Sequence, residues 1–211
     1  MVNISTEEKI LKAAVEVFTQ KGRHGAKMQE IADKAGINKA MLHYYFRSKE
    51  KLYVKVFREV FVKTFGGLHI IFDPDIPFTK ALENFIDQYI DKIDKNPHIP
   101  LFIINELGEG AGTAVTVLQE ALKNGEFKLP MAFLQMLNKA LENNEIRKVD
   151  PLQFMISVIG LCVYYFIAEP LFTNVFMLVY KMENSGGFDR PKFIEQRKKA
   201  IFDLIYNGIK K

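Results

Sequence analysis

The sequence predicts an all-α fold, with a short head of three helices followed by a larger helical body. Apolar residues recur at a helical spacing of three and four along most of the chain, whereas the alternation typical of β-strands is nearly absent. Charge divides the chain in the same way. Residues 1–66 hold 13 Lys or Arg and 7 Asp or Glu, and residues 67–211 hold 16 and 18. A basic head on a slightly acidic body indicates two parts with different partners.

The first helix is predicted to begin after Ser5. Ser5 and Glu8 have the spacing of a capping box, in which each side chain bonds the other residue's backbone amide. Gly22 is expected to end this helix. Between them lies one apolar stripe, predicted to be buried: Ile10, Ala13, Ala14, Val17 and Phe18.

Two shorter helices follow. A helix over Met28–Ala35 is broken by Gly36, which permits a sharp turn. Asn38 is a good N-cap for a third helix, from Lys39 to about Tyr45. Ser48 caps a longer fourth helix, which we expect to join the head (residues 1–50) to the body (residues 51–211).

The body is predicted to contain further helices, separated by Pro and Gly. They span 78–94, 101–107, 114–123, 130–143, 151–168 with a continuation past Pro170 toward Tyr180, and 191–209. Asp150 is expected to cap the fifth of these, with Pro151 at its first position. The sequence Ser185-Gly186-Gly187 predicts a loop, and Asp87, Asp91 and Asp94 are interpreted as a solvated helix face.

The third helix has the composition of a helix that reads DNA. Around its axis, Met41, Leu42, Tyr45 and Phe46 are predicted to face inward. The outward side holds Lys39, Ala40, His43, Tyr44 and Arg47. Two cations, a small residue and two rings with polar tips suit the major groove. Lys27 and Lys49 lie where they could contact phosphates. The competing interpretation is an ordinary helical hairpin with a solvated basic face.

The stretch Gly25–Leu52 resembles the TetR family of bacterial regulators. The matching positions are Ile31-Ala32, Ala35-Gly36, Leu42, Tyr44, Phe46, Ser48-Lys49-Glu50 and Leu52. The resemblance covers roughly residues 5–60. It implies a homodimer whose helix-turn-helix heads occupy a palindromic DNA operator as a repressor. It also implies a body that binds a small-molecule effector, which releases the DNA.

The resemblance places Lys39, Ala40, His43 and Tyr44 on the DNA and Lys49 near phosphate. With Lys27 and Arg47, these are the predicted DNA-binding residues. Two positions depart from the family pattern. Ala26-Lys27 stands where the family commonly has Thr or Ser, so the cap of the second helix must come from another group. His43 stands where the family often has Tyr.

The body offers candidates for a dimer interface and for an effector pocket. Residues 151–168 contain no charged side chain, which a subunit interface explains as well as a membrane span does; we favour the interface. The predicted interface residues are Phe154, Val158, Leu161, Tyr165, Ile194, Ile201, Leu204, Ile205 and Gly208. The predicted pocket residues are Phe85, Tyr89, Phe102, Asn105, Glu106, Phe133, Met136, Tyr164 and Tyr165, for which ordinary core packing is the alternative. The effector would be a small apolar or aromatic-compatible molecule.

Other functional classes find little support. Cys162 is the single cysteine, and the four histidines form no helical pair, so we expect no zinc site, no other metal and no cofactor. Nucleophile-elbow and phosphate-loop motifs are absent, which argues against an enzyme. The charged start, from Met1 to Lys12, argues against secretion and for a cytoplasmic protein without a membrane span. A transcriptional activator, or a DNA-binding protein without an effector, remains an alternative.

Overall fold

The computed structural model describes residues 5–73, 75–176, 178 and 188–211. Among these residues the regular elements are all helices, and β-type pairing is confined to an isolated bridge between Ile146 and Lys210. The prediction of an all-α fold is confirmed. The loop predicted at 185–187 and most of the predicted helix toward Tyr180 lie outside the described residues.

Ten α-helices are described. They are α1 (Thr6–Gly25), α2 (Met28–Ala35), α3 (Lys39–Phe46), α4 (Lys49–Phe65), α5 (Phe78–Asp94), α6 (His98–Gly108), α7 (Gly112–Lys123), α8 (Leu129–Glu142), α9 (Pro151–Leu171) and α10 (Arg190–Ile209). A 3-10 helix (Gly66–Ile71) follows α4, and a π-helix (Phe172–Phe176) follows α9.

Helix α1 continues to Gly25, and Gly22, which was predicted to end it, instead forms a kink inside it with φ 67°. Two further boundaries differ from the predictions because proline acts differently by position. Helix α6 begins at His98 rather than Leu101, since Pro100 lies in its first turn, where a missing amide costs no helical hydrogen bond. Pro170 lies inside α9, whose regular geometry ends one residue later and passes into the π-helix. A proline near a helix end therefore marked the boundary only approximately.

The described chain divides into two compact units. The first contains α1 to α4 together with α6 and α7, over residues up to 66 and 98–127. The second contains α5, α8, α9 and α10, over residues 67–97 and 128–211. The hairpin of α6 and α7 thus groups with the predicted head. The division at residue 50 stays a prediction about how function is shared along the chain.

Aromatic side chains form the core of the first unit. Tyr53 on α4 packs edge-on against Phe18 of α1 at 5.1 Å between ring centroids, and against Phe102 of α6 at 5.6 Å. Phe57 adds a further contact with Phe102 at 5.6 Å. These rings are almost completely buried, and such pairs contribute beyond the area they bury. The many phenylalanines of this unit therefore act first as core.

The second unit packs α5 against α8, α9 and α10. Its core includes Phe133, whose ring lies 5.7 Å from that of Phe154 on α9. The carboxylates of α5 face α10: Asp91 pairs with Lys198 at 2.6 Å and Asp94 with Arg190 at 2.6 Å. The interpretation of this face as solvated holds only in part: Asp91 and Asp94 keep 48 % and 32 % of their side chains exposed, while a cation of α10 pairs with each.

Candidate nucleic-acid interface

Helices α2 and α3 form a helix-turn-helix whose turn depends on glycine. Gly36 adopts a left-handed conformation with φ 71°, which costs an L-residue energy and glycine almost none. Asn38 then caps α3, since its side chain accepts a hydrogen bond from the amide of Met41 at 2.7 Å. Leu42 and Phe46 anchor α3 in the core, with 0 % and 6 % of their surface exposed. Both predicted features, the turn and the cap, are confirmed.

The outer face of α3 carries the predicted DNA-reading side chains in solvent. Tyr44 is 79 % exposed, and four further side chains of this face are classed as exposed: Lys39, Ala40, His43 and Arg47. Two residues predicted to face inward do not, since Met41 and Tyr45 are 40 % and 41 % exposed. A helix of eight residues anchors only through the narrow i, i+4 stripe, so flanking positions remain accessible.

A strained turn connects α3 to α4. Arg47 has φ 53° and ψ −48°, and the amide of Ser48 donates to the carbonyl oxygen of Phe46 across it, which makes a γ-turn. Positive φ is costly for a residue with a side chain. Ser48 then caps α4, as predicted, by accepting from the amide of Lys51 at 3.2 Å. The turn directs the exposed Arg47 away from the buried side of the hairpin.

The start of α2 has no side-chain cap from its N-cap residue. Lys27 occupies that position in extended conformation, and its side chain makes no cap hydrogen bond, while Ala26 is buried. The amides of this first turn are therefore available to an anion, next to an exposed ammonium group.

Lys49 and His43 each have an internal contact. The Nζ of Lys49 donates to the carbonyl oxygen of His24 at 3.2 Å, which ties the start of α4 to the end of α1. The Nδ1 of His43 lies 3.4 Å from the carbonyl oxygen of Arg47. When Nδ1 carries the ring proton it donates to this oxygen, and Nε2 is then the acceptor that the ring offers to a partner.

The family comparison coincides with this geometry. Residues 10–56, from the core of α1 to the middle of α4, match the model of the bacterial regulatory proteins of the tetR family. This segment of the chain therefore resembles the helix-turn-helix segment of TetR-family regulators. The transcriptional regulator RutR of Escherichia coli K12 is 47 % identical over 58 residues, and the transcriptional repressor NicS of Pseudomonas putida is 43 % identical over 56. These alignments span 27 % and 26 % of this chain and 27 % and 26 % of the relatives.

The fold of a TetR regulator extends over the whole chain. The crystal structure of the TetR-family regulator PfmR from Thermus thermophilus superposes with a TM-score of 0.62 at 19 % identity, covering 94 % of this chain and 97 % of that one. At this identity the likeness concerns the fold alone. The alignments with RutR and NicS span only about a quarter of the length of these two relatives.

The predicted pocket residues fall into both units. Phe102, Asn105 and Glu106 lie in the first unit, and the other six lie in the second. Phe85, Tyr89, Phe102, Phe133 and Tyr165 are buried core residues, whereas Tyr164 is 58 % exposed. Met136 lines a cavity of about 470 Å³ in the second unit, together with Phe72 and Phe78. The assignment of these nine residues to a pocket stays a prediction.

The predicted interface residues divide by burial. Six of the nine lie in the core of their own subunit: Phe154, Val158, Tyr165, Ile194, Ile201 and Ile205. Leu161, Leu204 and Gly208 retain exposed surface and line one groove, at the first half of α9 and the end of α10. The outward stripe of α9 is instead Leu152, Ile156, Gly160 and Tyr164. Sequence could not select this stripe, because α9 is apolar on all sides.

Proposed function

We propose that this protein is a homodimeric transcriptional regulator that binds a palindromic DNA operator through α3. The exposed face of α3 carries the proposal. A capped helix of eight residues presents Lys39, Ala40, His43 and Tyr44 to solvent within the segment that matches the family. An α-helix with its side chains is about 10–12 Å in diameter, which fits the width of the major groove.

The contacts divide into two kinds. Lys39, His43 and Tyr44 are placed to reach base edges, with Ala40 allowing the close approach. Lys27, Arg47 and Lys49 flank the helix and would bind phosphates, which gives affinity and register without sequence preference. On binding DNA, the Nζ of Lys49 would either leave the carbonyl oxygen of His24 for a phosphate or donate to both.

Selection of bound fragments from a random DNA pool tests this assignment. We expect a palindrome whose half-sites are one or more helical turns apart. Lys39→Ala and Tyr44→Ala should weaken binding to the selected fragment, whereas Lys123→Ala, at an exposed lysine of α7, should not. Binding that is equal in all four proteins would remove α3 from the interface.

The outward stripe of α9 and the end of α10 would form the dimer interface. Leu152, Ile156 and Tyr164 are 58 %, 55 % and 58 % exposed, and Leu204 on α10 is 63 % exposed. The positions 152, 156, 160 and 164 follow one another at i, i+4 spacing, so they form one continuous strip. A second copy that packs the same strip against it would bury these side chains in a two-fold interface.

Sedimentation distinguishes this interface from its alternatives. Ile156→Asp and Leu204→Asp should each shift the protein toward monomer, and Met131→Asp, at an apolar residue 59 % exposed on α8, should not. The stretch Pro151–Val175 is also long and apolar enough to cross a membrane, and 28 % of its most apolar window is buried. Recovery of the protein in the membrane fraction would therefore oppose the interface, as would intact dimers of both aspartate variants.

The second unit is the proposed site of a small-molecule effector. One cavity of this unit, of about 470 Å³, falls within the size range of ligand sites, and Phe72 and Phe78 line it together with polar side chains such as Gln135 and Asn143. A small apolar molecule that lowers DNA affinity and raises thermal stability would support this part of the proposal.

Repression is the proposed outcome of operator occupancy. A reporter gene behind the selected fragment separates it from activation, since transcription should rise when this protein is deleted.

A further inference from the structure

A buried carboxylate lies where α6 meets α7 in the first unit. Glu106 on α6 is only 2 % exposed, although charged residues are almost never fully buried unless they have a partner. Its Oε1 accepts a hydrogen bond from the backbone amide of Thr113 at 2.7 Å. Its Oε2 is buried and has no partner in regular hydrogen-bond geometry among the described residues, although the Tyr53 hydroxyl interacts with this carboxylate. Such a group is costly, so its position calls for a role.

The bond to Thr113 replaces a cap that α7 lacks. Ala111 stands at the N-cap of α7 in a left-handed conformation, φ 60°, and offers no side-chain acceptor. Thr113 is the second residue of α7, where amides have no partner within the helix. Glu106 therefore supplies the capping acceptor from the preceding helix. Its side chain joins the end of α6 to the start of α7 across a sharp bend, where its own carbonyl oxygen also accepts from the amide of Ala111 at 3.0 Å.

The same carboxylate acts on the side chain of Tyr53 in α4. The pKa of Tyr53 is raised above its ordinary value, first by burial and then by the negative charge of Glu106. The guanidinium group of Arg23, at the end of α1, lies 5.3 Å from the centre of the Tyr53 ring. At the same bend, Oε1 of Glu109 lies 3.2 Å from Nε2 of His24. Glu106 and Glu109 of the bend thus face the Tyr53 hydroxyl of α4 and the His24 imidazole of α1.

These contacts come within one turn of the DNA-reading hairpin. Tyr53 is four residues after Lys49, whose Nζ holds the carbonyl of His24 at 3.2 Å, and α4 follows α3 through the turn at Arg47. The ring of Tyr53 packs at 5.1 Å against Phe18 of α1. A shift of the bend must therefore be transmitted to the two helices that support α3, because close-packed rings cannot absorb it.

We propose that Glu106 is a positioning residue for DNA binding: by capping α7 through the Thr113 amide, it holds the bend between α6 and α7 against α1 and α4 and so sets the placement of α3. The inference rests on the proposed function for its DNA readout. It differs from a merely stabilising role, because it requires that folded protein without this bond binds DNA less well.

Three variants of the full chain test the proposal against the DNA fragment selected by the wild type. Glu106→Met removes the acceptor and keeps a side chain of similar volume. Thr113→Pro removes the amide donor, at a position in the first turn of a helix where proline is tolerated; Pro130 occupies the same position in α8. Glu106→Gln keeps an acceptor oxygen. We expect Glu106→Met and Thr113→Pro each to lower DNA affinity about tenfold. The double variant should bind DNA as well as either single variant, and Glu106→Gln should bind within about threefold of wild type. Glu142→Met, at an exposed glutamate of α8, is the matched control.

Affinity is measured per folded protein, well below each melting temperature. Unchanged affinity in Glu106→Met, even with a lowered melting temperature, would overturn the proposal, as would additive losses in the double variant. Amide exchange without DNA is the second measurement, and Glu106→Met should accelerate exchange in residues 107–115 and 20–27. If the wild type selects no DNA, the proposed function fails, and exchange alone then decides whether Glu106 positions these helices.

Discussion

Replacement of Arg47 by glycine should raise stability and lower DNA affinity at the same time. Arg47 holds φ 53° and ψ −48° in the γ-turn between α3 and α4, and its side chain is exposed on the DNA-facing side of the hairpin. The backbone conformation favours glycine, whereas the proposed phosphate contact needs a cation. The two requirements conflict at this one position, so the two measured quantities should move in opposite directions.

The stability change follows from the backbone. A non-glycine residue in a sparsely populated region costs on the order of 1–3 kcal/mol. Glycine removes this cost. It also makes the unfolded chain more flexible, and the extra conformational entropy lost on folding destabilises the protein by about 0.5–1 kcal/mol. Arg47→Gly should therefore raise the free energy of unfolding by about 1 kcal/mol, which shifts the melting temperature by about 2–4 °C for a chain of this length. Arg47→Ala keeps the strain and should show no gain.

The change in DNA affinity follows from the charge. Each phosphate contact contributes about 0.9 to the slope of log affinity against log salt. A dimer places two copies of Arg47 on one operator, so both variants should lower the slope by about 1.8. At about 0.1 M salt this corresponds to a loss of roughly 60-fold, equal in Arg47→Gly and Arg47→Ala.

Urea unfolding at fixed protein concentration and fluorescence anisotropy over a range of salt measure the two quantities. Equal stability of Arg47→Gly and Arg47→Ala would refute the strain at this turn. An unchanged salt slope in both variants would refute the phosphate contact, whatever their stability. Because the two variants share the lost charge and differ only in backbone preference, each result bears on one cause.

Three further expectations concern stability and reactivity. Asp150→Ala removes the hydrogen bond to the Gln153 amide (2.8 Å) that caps α9, so the free energy of unfolding should fall by about 1 kcal/mol in urea titrations, with DNA affinity unchanged; no loss would contradict the cap. Burial raises the pKa of the Cys162 thiol to about 12, and this side chain is 1 % exposed. A thiol reagent at pH 8 should therefore modify it only as fast as the protein unfolds, and rapid labelling of native protein would contradict its burial. Burial also raises the pKa of Tyr53, Tyr89 and Tyr165, the last to about 12. The unfolded chain releases these protons near pH 10, so stability should fall as the pH rises above that value. Absorbance at the phenolate wavelength should show these rings ionising together with unfolding, and early ionisation of all eight tyrosines would contradict this.

Local signals along the sequence were sufficient to predict most of the helices and the exposed side chains that we assign to DNA reading. The capping box of Ser5 and Glu8 is present, with both hydrogen bonds formed, at 2.8 and 3.2 Å. Helix α5 spans Phe78–Asp94, as its apolar spacing predicts. Capping and turn chemistry act over three or four residues, so a single chain carries that information completely.

Tertiary packing decided which side chains are buried where the spacing of apolar residues allows more than one answer. Helix α9 is apolar on every side, so periodicity could not separate Val158, which the subunit buries, from Ile156, which it exposes. The sequence led us to predict Glu106 as a pocket residue, with core packing as the alternative. In the structure it is buried and caps α7. The bend at Ala111, which has a positive φ, brings the amide of Thr113 within hydrogen-bond distance of the Glu106 carboxylate.

The sequence by itself therefore determined the helix-turn-helix and most of its exposed residues, because both depend on neighbours within a few positions along the chain. The tertiary structure alone decided which apolar residues of α9 and α10 remain outside, that α6 and α7 group with the head, and where the charge of Glu106 lies. These depend on contacts between segments distant in sequence, whose selection reflects the packing of the whole core rather than any local pattern.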